Sequence, residues 1–160
     1  MDEDYEHHLC EINKSNFYQM KILVENCFPL CYSDKFFVKV YQKYQNYSRF
    51  FTLKGLIVGG VVGRIEILEE TSEEVFHLLI LLVLPKYRRK KIAKKLMFFI
   101  ERQLKALNPS IKCIELHVQK INTAAVSFYQ SIGFTIVEEK EDYYDNLPDP
   151  AALYMRKILN

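Results

Sequence analysis

The stretch "VFHLLILLVLPKYRRKKIAKKL", residues 75–96, decides the fold. Residues 75–84 are nearly all apolar, which suits a central strand covered on both faces. Pro85 ends that strand. Seven of the ten residues 86–95 are Lys or Arg, so a buried strand runs straight into dense positive charge. From Ile92 the apolar residues recur at 92, 93, 96, 99, 100, 104 and 107. That period predicts a helix over 92–107, with Lys94, Lys95, Glu101 and Arg102 facing outward. "KCIELHVQ" (112–119) reads as the next strand. Strand, helix, strand in this order implies two parallel neighbours at the centre of a sheet.

Working outward, "HLCEIN" (8–13) reads as a short strand. Asn16 is expected to cap a helix over 17–26, which Pro29 prevents from continuing. Asp34 is expected to cap a second helix over about 35–44. "YSRFFTLK" (47–54) and "LIVGGVVGRIEIL" (56–68) are strands joined through Gly55. Gly59, Gly60 and Gly63 signal a bulge or a close backbone approach. Residues 69–74 connect to the central strand. Asn122 opens a short helix that stops at Gly133, a left-handed C-cap position. "FTIVEEK" (134–140) and "ALYMRKIL" (152–159) form a closing antiparallel pair. The expected fold is α/β (α+β): a mixed, mostly antiparallel sheet of about seven strands, a splayed parallel central pair and about four helices.

The chain has 160 residues, 49% hydrophobic and 26% charged, which predicts one domain over 1–160 with a real core. The net charge is only +2, so the positive charge is local, unlike the broad basic face of a nucleic-acid binder. No apolar run reaches 18 residues, so no membrane span is expected. "MDEDYEHH" at the start lacks the pattern of a secretory leader. Cys10, Cys27, Cys31 and Cys113 contain no CxxC pair and read as buried or half-buried reduced thiols, in a cytoplasmic or nuclear protein. Cys27 and Cys31 have no His or Cys partners at ligand spacing, so no metal is expected.

The basic segment has four readings: a localisation signal, a nucleic-acid patch, a solvated helix face and an anion cradle. Its position favours the last. The first backbone N–H groups of a helix lack internal partners and carry partial positive charge. Flanking Arg and Lys strengthen the attraction, and a pyrophosphate fits.

"RRKKIA" (88–93) resembles the acetyl-CoA pyrophosphate loop of the GCN5-related N-acetyltransferases, Gln/Arg-x-x-Gly-x-Gly/Ala. Arg88 takes the first place and Ala93 the last, while Lys91 stands where the family usually has Gly. "INTAAVSFYQSIGF" (121–134) is similar to a later family segment. A finer resemblance lies in "FPLCYSDKFF" (28–37), "YRR" (87–89), "LHVQ" (116–119) and "YY" (143–144), which look like the catalytic subunit of N-terminal acetyltransferase E. It implies acetylation of the α-amine of nascent chains, with Met followed by a hydrophobic residue preferred.

The resemblance also implies roles. Acetyl-CoA would be held by backbone at Leu82, Val83 and Leu84, by residues Arg88, Arg89, Lys90, Lys91, Ile92 and Ala93, and by Asn122 and Tyr129. Tyr129 would protonate or hydrogen-bond the leaving thiolate; its other reading is a buried tyrosine bonded to backbone. Asn122 is a cofactor contact, a helix cap or both. His117 would be the general base, acting through a water. His77 stands where related enzymes place a catalytic Tyr, and either shares base duty or packs. Phe28, Pro29, Leu30, Tyr32, His117, Tyr143 and Tyr144 would line the peptide site; Phe28 and Leu30 are otherwise core residues. The Lys91 side chain is expected to turn outward. Partners would be a protein N-terminus, a larger acetyltransferase complex or the ribosome, with no specific nucleic acid. The rivals are a lysine or small-amine acetyltransferase and a non-catalytic acetyl-CoA-binding subunit.

Overall fold

The computed structural model describes residues 8–160. Seven strands form one mixed sheet in the order β1-β2-β3-β4-β5-β7-β6. They are β1 (Leu9–Glu11), β2 (Ser48–Leu53), β3 (Leu56–Ile67), β4 (Glu74–Val83), β5 (Cys113–Gln119), β6 (Thr135–Lys140) and β7 (Ala152–Ile158). The helices are α1 (Tyr18–Cys27), α2 (Asp34–Gln42), α3 (Ile92–Leu107) and α4 (Thr123–Ser131). None of the helices among the described residues is long and apolar enough to cross a membrane.

The backbone groups into two compact units. The first holds the described residues up to Arg64 together with Leu79–Asn108. Its core includes Met20, Leu23 and Val24 of α1, Phe37 and Val40 of α2, Phe50, Val62, Ile80 and Leu82. β2 and β3 form an antiparallel hairpin turning at Lys54 and Gly55, both at positive φ (50° and 78°), the two-residue geometry that matches strand twist. Its register slips between Phe51↔Gly59 and Thr52↔Ile57, so Val58 is skipped. The Val58 carbonyl accepts instead from the Leu84 N–H at 2.8 Å. The glycine run thus contains both a bulge and a close approach: a Cβ on Gly59 would stand 2.8 Å from the Leu82 carbonyl oxygen.

The second unit holds Ile65–Leu78 and Pro109–Asn160. β5 pairs antiparallel with β7 along its whole length, from Cys113↔Ile158 to Gln119↔Ala152. β6 closes the edge against β7. β4 and β5 are parallel through Phe76↔Ile114 and His77↔Glu115, and no further pair follows among the described residues. That short ladder is the central parallel pair expected from the sequence.

Several local expectations are corrected. Asn16 does not cap α1; its Oδ1 accepts from the Asn13 N–H at 2.8 Å and its Nδ2 donates to the Glu11 carbonyl. The cap position of α1 is Phe17, without a side-chain bond. Ser33, not Asp34, caps α2 by accepting from the Phe36 N–H. Asp34 instead pairs with Lys21 at 2.7 Å and adds negative charge in the first turn. α3 starts and ends as expected, but Met97 joins its buried face while Leu107 is 50% exposed, because the last turn runs past the core. Lys94 and Arg102 face water, whereas Lys95 and Glu101 are half-buried. All four cysteines are free thiols; Cys31 is exposed, since the loop after α1 carries it away from the core.

Candidate active site

In the first unit, β4 leads through a short 3-10 turn (Pro85–Tyr87) into the basic loop. Arg88 folds back on its own strand, its Nε donating to the Val83 carbonyl at 2.9 Å. The same guanidinium lies against Cys27: burial pushes the Cys27 thiol up, and Arg88 pulls it back. Arg89 and Lys91 both adopt the left-handed conformation, at φ 64° and 61°. Lys91 is the cap position of α3, makes no side-chain cap bond and has an exposed side chain. Left-handed residues leading into a helix turn successive N–H groups toward one side and form an anion-binding concavity. With exposed Arg88, Arg89, Lys90 and Lys91 around it, the loop fits a pyrophosphate. The non-glycine residue at 91 therefore keeps the backbone shape that a glycine would take, at some conformational cost.

Phe28 and Tyr32 are half-buried and pack on the first unit's core; Leu30 is half-buried and Pro29 exposed. The Tyr32 ring stacks on Phe36 at 4.6 Å.

The second unit concentrates the titratable groups. His77 and Glu115 face each other across the parallel ladder, and His77 Nδ1 lies 3.1 Å from Glu115 Oε1. Glu66 Oε2 lies 3.3 Å from the same nitrogen. The Tyr154 hydroxyl donates to Glu115 Oε2. Glu115 is almost fully buried, at 3% exposure. Burial alone would raise its carboxyl, but the hydrogen bonds from His77 and Tyr154 outweigh burial and hold it below the usual range. Burial and the bond to Glu115 keep the Tyr154 phenol protonated. An ionised carboxylate only accepts, so His77 Nδ1 carries the hydrogen. The donor atoms of Glu66, His77 and Glu115 lie within 4.8 Å of one another, close enough to share one hydrogen or a cation.

His117 lies two residues along β5 from Glu115, on the same face of the sheet. It pairs in register with Tyr154. Its ring stacks on Tyr143 at 4.2 Å and 8°, on Tyr154 at 5.1 Å and on His77 at 5.6 Å. Both its ring nitrogens are buried without a hydrogen-bond partner among the described residues. Burial, then the charges of His77 and Lys140, pull its imidazole from 6.5 down to about 4. Tyr143 meets Tyr144 edge-on at 4.9 Å, and both backbone N–H groups donate to the Pro150 carbonyl, which pins the loop.

Asn122 caps α4, its Oδ1 accepting from the Ala125 N–H at 3.2 Å. Tyr129 is buried between Phe128 and Phe134. Burial, then Tyr144, push its phenol up, so it keeps its proton. Thus the structure assembles His77, His117, Tyr143 and Tyr144 in one unit, with Tyr129 electrostatically linked to Tyr144. Glu66, Glu115 and Tyr154 escape the sequence reading. The one visible signal is a carboxylate at 115 inside an apolar strand, two residues before a histidine.

The model of the Acetyltransferase (GNAT) family matches residues 17–134. "Probable N-acetyltransferase san" of Drosophila melanogaster is 31% identical over 155 residues, covering 94% of this chain and 80% of that protein. N-alpha-acetyltransferase 50 of Danio rerio is 28% identical over 151 residues, covering 94% and 88%. Among solved structures, Arabidopsis thaliana Naa50 in complex with the bisubstrate analogue CoA-Ac-MVNAL superposes with TM-score 0.82 at 27% identity, over 93% of this chain and 96% of that one. Chaetomium thermophilum Naa20, at 22% identity and TM-score 0.84 over 94% and 86%, shares the fold. With the basic loop at the start of α3, the parallel β4–β5 pair and a matching family model over most of its length, the chain belongs to the acetyltransferase (GNAT) family.

Proposed function

We propose that the chain is an N-terminal protein acetyltransferase that moves acetyl from acetyl-CoA to an α-amine, with Met followed by a hydrophobic residue as the preferred start. The observation that carries this is the histidine pair stacked beneath Tyr143, in a chain whose relatives include N-alpha-acetyltransferase 50 of Danio rerio. When bound, acetyl-CoA supplies an activated thioester. The loop from Arg88 to Ala93 and the first turn of α3 would hold its pyrophosphate, and backbone at Leu82, Val83 and Leu84 would help to hold the rest of it. Asn122 serves as cap and cofactor contact. The imidazoles of His77 and His117 receive one proton from the acceptor ammonium. The freed lone pair would form the C–N bond, the nitrogen would lose its second proton to water, and the C–S bond would break with its electron pair leaving on sulfur. The protonated Tyr129 hydroxyl donates to that thiolate. Phe28, Pro29, Leu30 and Tyr32 supply apolar wall, and Tyr143 and Tyr144 bond the peptide backbone.

We read residues 1–160 as one catalytic domain working in the cytoplasm, with the nucleus as a second compartment. Its protein partners are a nascent chain and a larger acetyltransferase complex or the ribosome. The test is coenzyme A release with acetyl-CoA and two peptides: one starting Met-Leu with a free amine, the other identical but blocked and carrying an internal Lys. Turnover of the first alone supports the proposal. Turnover of the second alone replaces it with a lysine enzyme. Release with neither, despite cofactor binding, favours a non-catalytic subunit or an acceptor outside both classes.

A further inference from the structure

We propose that Glu115 is a positioning residue that holds His77 as the base of the reaction, with Tyr154 holding Glu115 in turn. The assignment rests on the acyl-transfer reading above and decides which of the two imidazoles takes the proton.

The geometry is that of an oriented imidazole. Glu115 sits directly opposite His77 in the parallel ladder, so backbone pairing sets their separation. Glu115 Oε1 accepts from His77 Nδ1 at 3.1 Å, and Glu66 Oε2 stands 3.3 Å from that same nitrogen. With Nδ1 committed to the carboxylates, the Nε2 lone pair is the one left to take a proton. A carboxylate that fixes the tautomer and offsets the imidazolium formed is how catalytic histidines are made effective. The second carboxylate oxygen is taken by the Tyr154 hydroxyl, so Glu115 cannot rotate away from His77 without losing that bond.

His117 lacks every part of this arrangement. No group among the described residues bonds either ring nitrogen, so nothing sets its tautomer. Its imidazole holds a proton only near 4, which makes it a weak acceptor at neutral pH. The rings stacked on it give it a different role. It packs against Tyr143 at 4.2 Å and Tyr154 at 5.1 Å, and so steadies the rings beside it. In the step itself, His77 Nε2 gains one proton from the acceptor nitrogen, directly or through one water. The nitrogen lone pair forms the amide bond, and the thiolate leaves.

The test is steady-state kinetics with acetyl-CoA and the Met-Leu peptide. Glu115→Gln, close in shape, is expected to lower kcat about 10- to 100-fold, with KM for both substrates within about threefold. The double variant His77→Gln/Glu115→Gln should be no slower than His77→Gln alone, because one residue acts through the other. His117→Gln should retain more activity than His77→Gln. Multiplicative losses in the double variant, a rise in KM alone from Glu115→Gln, or a larger loss from His117→Gln would each overturn the proposal. Tyr154→Phe keeps the ring stack and should lower kcat by a smaller factor at unchanged KM. If the wild-type protein turns over neither peptide, the functional reading fails, and the dyad is decided on its own by the 15N spectrum of wild-type His77. A single Nδ1–H tautomer supports the dyad; an Nε2–H tautomer overturns it. The same spectrum serves if the variants do not fold.

Discussion

Glu115 shows how much one buried side chain can organise. A carboxylate at 3% exposure is costly unless each oxygen is paired, and here one oxygen takes His77 and the other Tyr154. Its neighbour His117 carries the opposite burden, since burial keeps that imidazole neutral. The consequence for stability follows from proton counting. His117 binds its proton near 4 in the folded chain and near 6.5 when unfolded, so between those values the unfolded state holds more protons and stability rises with pH. Glu115 adds to the same trend, because its depressed carboxyl loses its stabilisation as pH falls. Thermal melts from pH 7.5 to 4.5 should fall steadily. His117→Phe, which keeps the stack on Tyr143, should flatten the part between 4 and 6.5 by about 1–2 kcal/mol after allowing for solvent screening. An unchanged slope would mean the imidazole is not held neutral.

At the scale of an element, the turn from β4 into α3 sets the basic loop proposed to hold the cofactor. Arg89 and Lys91 hold positive φ, which a residue with a Cβ adopts at a cost of about 1 kcal/mol. Lys91→Gly should relieve it, raising the melting temperature by about 2–4 °C. Acetyl-CoA affinity should stay equal or tighten; a collapse would show the Lys91 amine to be a ligand itself. β3 supplies a second case. A Cβ at Gly59 meets the Leu82 carbonyl oxygen at 2.8 Å, a backbone atom that cannot step aside. Gly59→Ala should cost about 1–3 kcal/mol in denaturant melts and disturb the end of β4 that we propose to hold the cofactor. At Gly60 the clash is with Met20 Cε at 2.6 Å, the end of a flexible side chain, so Gly60→Ala should cost less. Equal losses at both positions would refute the distinction.

Over the whole molecule the charge is nearly balanced, at +2, and positive charge gathers at residues 86–95. Attraction for a polyanionic cofactor should therefore be short-ranged and sensitive to salt. Raising ionic strength from about 0.05 to 0.5 M should increase KM for acetyl-CoA several-fold while KM for an uncharged Met-Leu peptide changes little. A flat response for both would mean that the loop binds mainly through backbone N–H groups.

The order of elements is legible in the sequence because it rests on local patterns. α3 can be read to the residue, since its apolar period begins where the basic loop ends and Pro109 lies just beyond. The parallel β4–β5 pair follows from the strand–helix–strand order and chain handedness. Caps are less legible: Asn16 and Ser33 both carry capping side chains, and only the path of the chain decides which one meets a helix. The candidate site divides the same way. His117, Tyr129 and the loop at 88–93 stand out through resemblance to the family's motifs. Glu115, Tyr154 and Glu66 do not, because a carboxylate in a strand has no local reason to be there. His77 and Glu115 are 38 residues apart, and Glu115 and Tyr154 are 39 apart. Their meeting is set by registers that join β4, β5 and β7. Backbone pairing between distant strands is a tertiary outcome, and it alone determines that one histidine is anchored at Nδ1 and the other left neutral in a stack.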